Sequence, residues 1–331
     1  MDCGGAADAS CPEAAESQNP SGLPSVGPSA ANQTDRHHSA EPQRDKQAEG
    51  NGGQAGGPSS PSTEFRRRKR ACDRERIEAR HPINFVFENP FGGLFQQMDF
   101  VKGLIARHPH HVFLVDTSYC KYDSPYRKST VFISTLPTFR PKSRCEVIHC
   151  KQLVMRGKHD SNVKAQTKAI KNSIPAGLVD LEVTAWKAMY PTEPAYKFLF
   201  IDVFTGYGSV AAHIRQAYPD VMVYTNDIVK RTGNNVELDL REFPCYFMMN
   251  LALLRFFGNP SLPEMPHGLH AWLRQERIAI LFHLSTPCNT YSLDGIGTHR
   301  VTSTLTPKTK LAHDHDEMNA KLIEWFEKVC F

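Results

Sequence analysis

The segment Arg277-Ile278-Ala279-Ile280-Leu281-Phe282-His283-Leu284 is an apolar run that ends abruptly in Ser285-Thr286-Pro287-Cys288. A short run of this kind, closed by a polar turn, reads as a buried strand that delivers a functional loop at its end. The pattern recurs along the chain. Ile83–Phe87 runs into Glu88-Asn89-Pro90, Lys197–Asp202 into a glycine-bearing turn, and Val221–Tyr224 into Asn226-Asp227. Val112–Val115 and Val131–Ser134 read as further strands, Val210–Tyr218 as a helix, and about Asp314 to Val329 as a closing helix with apolar Met318, Leu322, Trp325, Phe326 and Val329. Strands alternating with helices, with polar signatures at strand ends, predict an α/β fold: a doubly wound, Rossmann-like sheet whose ligands bind outside the carboxyl ends of its strands.

Residues 1–64 are rich in Gly, Pro, Ser, Ala, Asn and Gln and almost lack large apolar groups. Such a segment cannot bury enough surface to offset its ordering entropy, so a disordered tail is expected over 1–80, with the ordered domain covering 81–331. The block Arg66-Arg67-Arg68-Lys69-Arg70 closes the low-complexity part. It suits nuclear import, a phosphate-binding arm or merely a solvated charge run. The net charge of +4 excludes bulk polycation behaviour, so affinity for nucleic acid would have to come from local basic patches. Residues 1–20 lack the apolar core of a secretory signal, and no run of 18 apolar residues spans a membrane. The nine scattered cysteines then suit a reducing, intracellular setting, the nucleus for a eukaryotic chain and the cytoplasm otherwise.

Two constellations carry chemistry. In Asp202-Val203-Phe204-Thr205-Gly206-Tyr207-Gly208 the glycines allow backbone to approach a ligand closely. Asp227, at the end of the next strand, is spaced to hold ribose hydroxyls, and Asp239 is a third acidic candidate. Val210 or Ala211 stands where a dinucleotide site would want its third glycine, which favours a nucleoside ligand without a pyrophosphate, such as S-adenosylmethionine. Cys288, in a polar loop at a strand end, suits an exposed thiolate nucleophile, against the commoner reading of a cysteine as a small buried hydrophobe.

Several motifs together resemble the cytosine-C5 DNA methyltransferases, most closely the branch found in bacteriophages and other viruses. Asp202–Ser209, Asn226-Asp227-Ile228 and Pro287-Cys288 resemble that family's first, second and catalytic motifs. Glu88-Asn89-Pro90 resembles its Glu-Asn motif, Tyr122–Thr130 its basic motif, and Asn172-Ser173-Ile174-Pro175 its last motif. Ser285–Ser292, Glu88–Phe95 and Tyr119–Thr130 resemble the viral branch. The resemblance covers most of 83–327 and implies a class I methyltransferase sheet. It also implies S-adenosylmethionine as cofactor, held by Asp202, Phe204, Gly206, Gly208, Asp227, Asp239, Asn172 and Ser173, and DNA as partner. Catalysis would fall to Cys288, Glu88, Asn89, Arg127 and Lys128. Cys288 would attack C6 of a flipped cytosine while Glu88, protonated or sharing a proton, holds the base edge and Asn89 orients the loop. In strict register Thr130 takes the place of the family's base-contacting arginine, so Arg127 or Lys128 would supply the charge.

The order departs from the family, because the Glu-Asn half precedes the cofactor half. A circular permutation accounts for this, with the cut between the closing helix and the first strand. Cys145, His149, Cys150 and His159 lie within fifteen residues and could ligate Zn²⁺, against the plain reading of a polar loop. Lysines and arginines between Lys142 and Lys171 would give this 131–170 region a small DNA-contact lobe, with 241–275 as the remaining room for recognition. Two other readings compete. Glu88-Asn89-Pro90-Phe91 faintly echoes the loop of an amino-directed (N6-adenine or N4-cytosine) methyltransferase. Alternatively, the chain is a methyltransferase-fold protein that binds nucleic acid without turnover.

Overall fold

A computed structural model of the protein describes residues 81–331, apart from 125, 147–152, 155–157, 160–172, 230–232, 259–265 and 288. The expected tail with its basic block, and Asn172, His149, Cys150 and Cys288, lie outside the described residues.

Six strands form one sheet: β1 (Ile83–Pro90), β2 (Phe113–Ser118), β3 (Ser129–Ser134), β6 (Lys197–Asp202), β7 (Val221–Thr225) and β8 (Ile278–Leu284), in the order β2-β3-β1-β8-β6-β7. β3 alone runs against the other five. A two-residue ribbon, β4 (Leu153–Val154) with β5 (Lys158–His159), stands apart. Seven helices are described: α1 (Asp99–Arg107), α2 (Ala176–Lys187), α3 (Ser209–Ala217), α4 (Cys245–Phe257), α5 (Pro266–Gln275), α6 (Leu293–His299) and α7 (Lys310–Cys330). This is a mixed α/β architecture compatible with a Rossmann-like fold.

The central strands are apolar at successive positions because helices cover both faces of the sheet. Ile83, Phe85 and Phe87 of β1 and Ile278, Ile280, Phe282 and Leu284 of β8 share one core with residues of α1, α4, α5 and α7. Val86, Phe198, Phe200, Ala279 and Leu281 point the other way, toward α2 and α3. On the first face the rings of Phe85, Phe87 and Phe282 all meet Phe326 of α7, with centroids 5.0 to 5.7 Å apart. Edge-on and tilted pairs of this kind add to the large apolar area each ring buries.

The structure departs from the sequence reading in three places. The closing helix begins at Lys310 rather than Asp314, because Thr309 Oγ1 accepts the Ala312 N–H and caps it. The segment 241–275 contributes to the core on one side, where α4 buries Cys245, Met248, Met249, Ala252 and Leu253 and α5 buries Leu269 and Leu273, while Phe243, Tyr246, Phe247 and Leu254 stay exposed. The first part of 131–170 is core as well, since Val131–Ser134 lie in the sheet and Leu136 and Phe139 are buried. No described helix is long and apolar enough to cross a membrane.

Candidate active site

In the parallel ladders His283 lies level with Val86 on one side and Asp202 on the other. Alternation along each strand therefore turns Glu88, Asp202 and His283 to the same face, the one covered by α2. All three are buried at the carboxyl ends of adjacent strands. There Glu88, Lys128, Asp202, Phe204, Gly206, Ser285, Thr286 and Pro287 line a single cleft. Ile174 lines it too, bringing the segment that precedes α2 to the same place. Ser173 is half-buried beside it in sequence.

Glu88 is gripped by cations and donors. Tyr119 Oη donates to Glu88 Oε1 at 2.9 Å, and Lys128 Nζ donates to the same oxygen at 3.2 Å. Lys128 also lies 4.7 Å over the Tyr119 ring. Burial works to raise the Glu88 carboxyl, but the Lys128 charge and these two hydrogen bonds outweigh it and hold the group below its ordinary range. Glu88 is thus a carboxylate in the resting protein. Of the two cations the sequence leaves open, Lys128 bonds Glu88 in the cleft and Arg127 is exposed. Thr130, the residue in strict register, is buried in β3. Tyr119 belongs to a segment singled out from the sequence, but its hydroxyl's role needed the fold: Tyr119 follows β2 directly, and β2 reaches β1 only across β3.

Asn89 faces away from Glu88 and ties two loops together, its Nδ2 donating to Thr286 Oγ1 at 2.7 Å. Leu94 N–H donates to the Tyr291 carbonyl at 2.7 Å. A Cβ on Gly93 would come within 3.0 Å of the Pro90 and Tyr291 carbonyl oxygens, so a bare backbone is required at that crossing. Both loops are braced from behind. The buried Arg300 guanidinium donates to both carboxylate oxygens of Asp316, and Nε donates to the Thr290 carbonyl at 2.7 Å. Tyr291 Oη donates to Asp316 at 2.8 Å. Cys288 itself lies outside the described residues, between these two anchored ends.

The second constellation is a turn held open by two glycines in the left-handed region, Gly206 at φ 55° and Gly208 at φ 75°. Gly208 caps α3. Gly206 N–H donates to Asp227 Oδ2 at 2.7 Å, which fixes that carboxylate beside the turn. Asn226 is buried and bonded to the Val203 and Leu238 backbone, so it turns inward while its neighbour Asp227 turns outward. Asp202 Oδ2 is buried and has no hydrogen-bond partner among the described residues. Burial pushes the Asp202 carboxyl up to about 6, against the partly offsetting charge of His283. A buried acceptor left open in a cleft is a place for a ligand's donor or positive charge.

Asp239 is not part of this cleft. It accepts from Arg241 Nε at 2.9 and 3.0 Å and lines a separate ionic groove with Lys310, Asp314 and Lys321. Sequence spacing alone had grouped it with Asp202 and Asp227.

For the expected zinc ligands, Cys145 is buried against Cys120, and its N–H donates to Ser118 Oγ at 3.1 Å. His159 is placed only as part of β5. Among the described residues no three His, Cys, Asp or Glu side chains gather to hold a metal ion.

One buried pair was missed by the sequence reading. Glu182 of α2 and His283 of β8 meet at 3.0 and 3.1 Å through His283 Nδ1, both wholly enclosed. Burial alone would lower the imidazole, but the Glu182 charge and hydrogen bond, with Asp202 and Glu88 beyond, raise it to about 9. The polar residue inside the apolar run 278–284 was the only available signal. No protein-family model matches the chain, and no curated protein matches it either.

Proposed function

We propose that the chain is an S-adenosylmethionine-dependent DNA methyltransferase that forms 5-methylcytosine, its motifs circularly permuted. The observation that carries this reading is the convergence of three independent motifs on one cleft. The Glu88–Lys128 pair backed by Tyr119, the Asp202–Gly206 turn, and the Ser285-Thr286-Pro287 loop share the carboxyl ends of β1, β6 and β8, with Asp227 held next to the turn just past the end of β7.

Two contacts support the permutation. The helix that follows the Ser173-Ile174-Pro175 segment packs on α3: His213 Nε2 meets Asp180 at 2.6 Å, and Tyr218 Oη donates to the same oxygen at 3.0 Å. The closing helix α7 packs on β1 through Phe326. These contacts are what a permutation requires: the segment read as the last motif next to the one read as the first, and the helix and strand that flank the proposed cut packed together.

The donor set fits the cofactor. Asp202 offers an open buried acceptor for an ammonium group, and Asp227, fixed by Gly206, suits ribose hydroxyls. When bound, S-adenosylmethionine supplies an electrophilic methyl group. The chain's own residues then have defined tasks. Glu88 accepts from the exocyclic amine of a flipped cytosine. Because Lys128 and Tyr119 keep it ionised at rest, a proton must be taken up from water as the base seats and shared between N3 and the Glu88 carboxylate. The Cys288 thiolate adds to C6, and C5 gains nucleophilic character. Once C5 carries the methyl group, water takes the C5 proton, the C–H electron pair re-forms the C5=C6 bond and expels the Cys288 thiolate, and N3 gives up its shared proton. Asn89 holds the loop carrying Cys288 through Thr286.

The test is direct. The protein is incubated with DNA and methyl-labelled S-adenosylmethionine, the DNA is digested, and the labelled nucleoside is identified by mass spectrometry. 5-Methylcytosine that disappears with Cys288→Ser is the expected result. N6-methyladenine or N4-methylcytosine would move the chemistry to the Glu88–Phe91 loop. DNA binding without any product would favour a binding protein.

A further inference from the structure

A carboxylate inside a helix's apolar face needs a reason. Leu178, Val179, Val183 and Trp186 of α2 pack into the sheet, and Glu182 is inserted among them at 1% exposure. Among the described residues its hydrogen bonds go to His283, itself fully enclosed, whose ring stacks on Phe200 at 5.9 Å. Two apolar residues of similar size would fill this space at lower cost, since burying two charges is expensive even when they pair. On its other side, His283 Nε2 lies 3.2 Å from Ser285 Oγ, and Ser285 lines the cleft. The three residues form a line from the protein interior to the ligand site.

Counting hydrogens fixes what this line does. Glu182 as a carboxylate can only accept, so His283 Nδ1 carries a hydrogen. If Nε2 were bare, Ser285 would spend its hydroxyl hydrogen on it and show the cleft only lone pairs. If Nε2 is protonated, it donates to Ser285 Oγ, and the hydroxyl hydrogen is released toward the cleft. The charges around the ring decide between these states. Glu182 on α2, Asp202 on β6 and Glu88 on β1 all act on His283, and Lys128 pairs with Glu88. Three carboxylates around one imidazole favour the imidazolium. The same ring is held to about 9, well above neutrality.

We propose that Ser285 is a hydrogen-bond donor to a carbonyl or carboxylate oxygen of the bound ligand, and that Glu182 and His283 are positioning residues that fix its polarity. The identity of the ligand rests on the methyltransferase reading. On that reading the acceptor is either the carbonyl of the flipped pyrimidine or the carboxylate of the cofactor. No bond is made or broken by the serine. It is a preorganised donor, backed by a buried cation that water cannot screen.

The experiment uses the full chain with ¹⁵N-labelled histidine, and the variants Ser285→Ala, Ser285→Thr and Glu182→Gln. The ring nitrogens of His283 should both be protonated at pH 7.5, and Glu182→Gln should bring their titration down toward neutrality. Calorimetry with S-adenosylmethionine and single-turnover methylation of DNA then read the serine. Ser285→Ala should lose on the order of 100-fold in one of the two, and Ser285→Thr should restore most of it. Loss of cofactor affinity assigns the cofactor's carboxylate as acceptor. Loss of rate at unchanged cofactor affinity assigns the pyrimidine carbonyl. Wild-type rate should fall as pH rises through about 9, where the imidazolium is lost. A neutral imidazole at pH 7.5, or Ser285→Ala unchanged in both assays, overturns the proposal. A protein that binds the cofactor tightly but methylates no nucleic acid overturns the reading of the reaction, and the calorimetric arm still decides the serine. Failure of the wild type to bind the cofactor sinks both.

Discussion

Asn89 Nδ2 and Thr286 Oγ1, both buried, share a 2.7 Å hydrogen bond that joins the carboxyl end of β1 to the loop after β8. Removing either partner strands the other inside the protein. Asn89→Ala and Thr286→Val should each cost about 1–3 kcal/mol, and the double variant should cost less than their sum. Urea midpoints of the four proteins provide the cycle, and additive losses would show that the two groups do not act on each other.

Lys128→Met leaves the Glu88 carboxylate with Tyr119 as its remaining donor in a buried site. A destabilisation of about 1–3 kcal/mol at pH 7.5 is expected. Glu88 is depressed in the native wild type, so its contribution is present above the unfolded value of 4.5 and is lost as pH falls through the lower folded one. In the variant burial dominates and the carboxyl rises, so ionising it opposes folding. The deficit against wild type should therefore be largest at neutral pH and shrink on acidification. Melting temperatures across pH 4–8 report this, and a deficit independent of pH would rule out the charge as its origin.

Asp202 trades stability for its open acceptor. Its folded value of about 6 lies above the ordinary 3.8, so ionisation opposes folding from pH 3.8 upward and does so fully above about 6. Asp202→Asn should stabilise the free protein by up to about 3 kcal/mol at pH 7.5 and hardly at all near pH 4. On the proposed function, the same change should weaken S-adenosylmethionine binding at least about tenfold, as expected when a buried charge partner is lost. Denaturation and calorimetry on one preparation would show whether the two effects move in opposite directions.

The Arg300–Asp316 pair braces the loop on the far side of Cys288. Asp316→Asn removes the charge facing a fully buried guanidinium, and about 3 kcal/mol should be lost. Hydrogen exchange of the Thr290, Tyr291 and Leu94 amides should accelerate together, because the Leu94 N–H is bonded to the Tyr291 carbonyl. Acceleration confined to α6 would show that the brace does not reach the loop.

The strands around the site were legible because their apolar runs end in polar turns at the point where each strand stops being buried. Ile278–Leu284 and Lys197–Asp202 are the clear cases. α4 was not legible: Cys245–Phe257 is apolar on nearly every side, so it lacks the periodic stripe that marks a surface helix. The positions of Glu88, Asp202 and Asp227 at or just past strand ends could be read from the sequence, whereas Asp239 resembles them only in spacing, and Arg241 claims it in the fold. The Glu182–His283 contact is created by α2 packing on β8; His283 stands out as a polar residue in an apolar run, but nothing in the sequence names Glu182 as its partner.

The place of β1 in the sheet also bears on how the chain comes to be folded at all. Its partner β8 is made very late: Asn89 and Thr286, which close the junction between them, are 197 residues apart. At about 5–20 residues per second a ribosome takes roughly 10–40 s to synthesise that interval. Throughout it, β1 can pair only with the β2–β3 hairpin, leaving one edge of a highly apolar strand open. Long-range parallel pairing is slow in any case. The order of the elements thus makes nascent-chain aggregation, rather than final stability, the step at which production of this protein is most vulnerable. Slower synthesis at low temperature, or a holdase that shields exposed strand edges, should raise the soluble yield more than any stabilising substitution in the finished core.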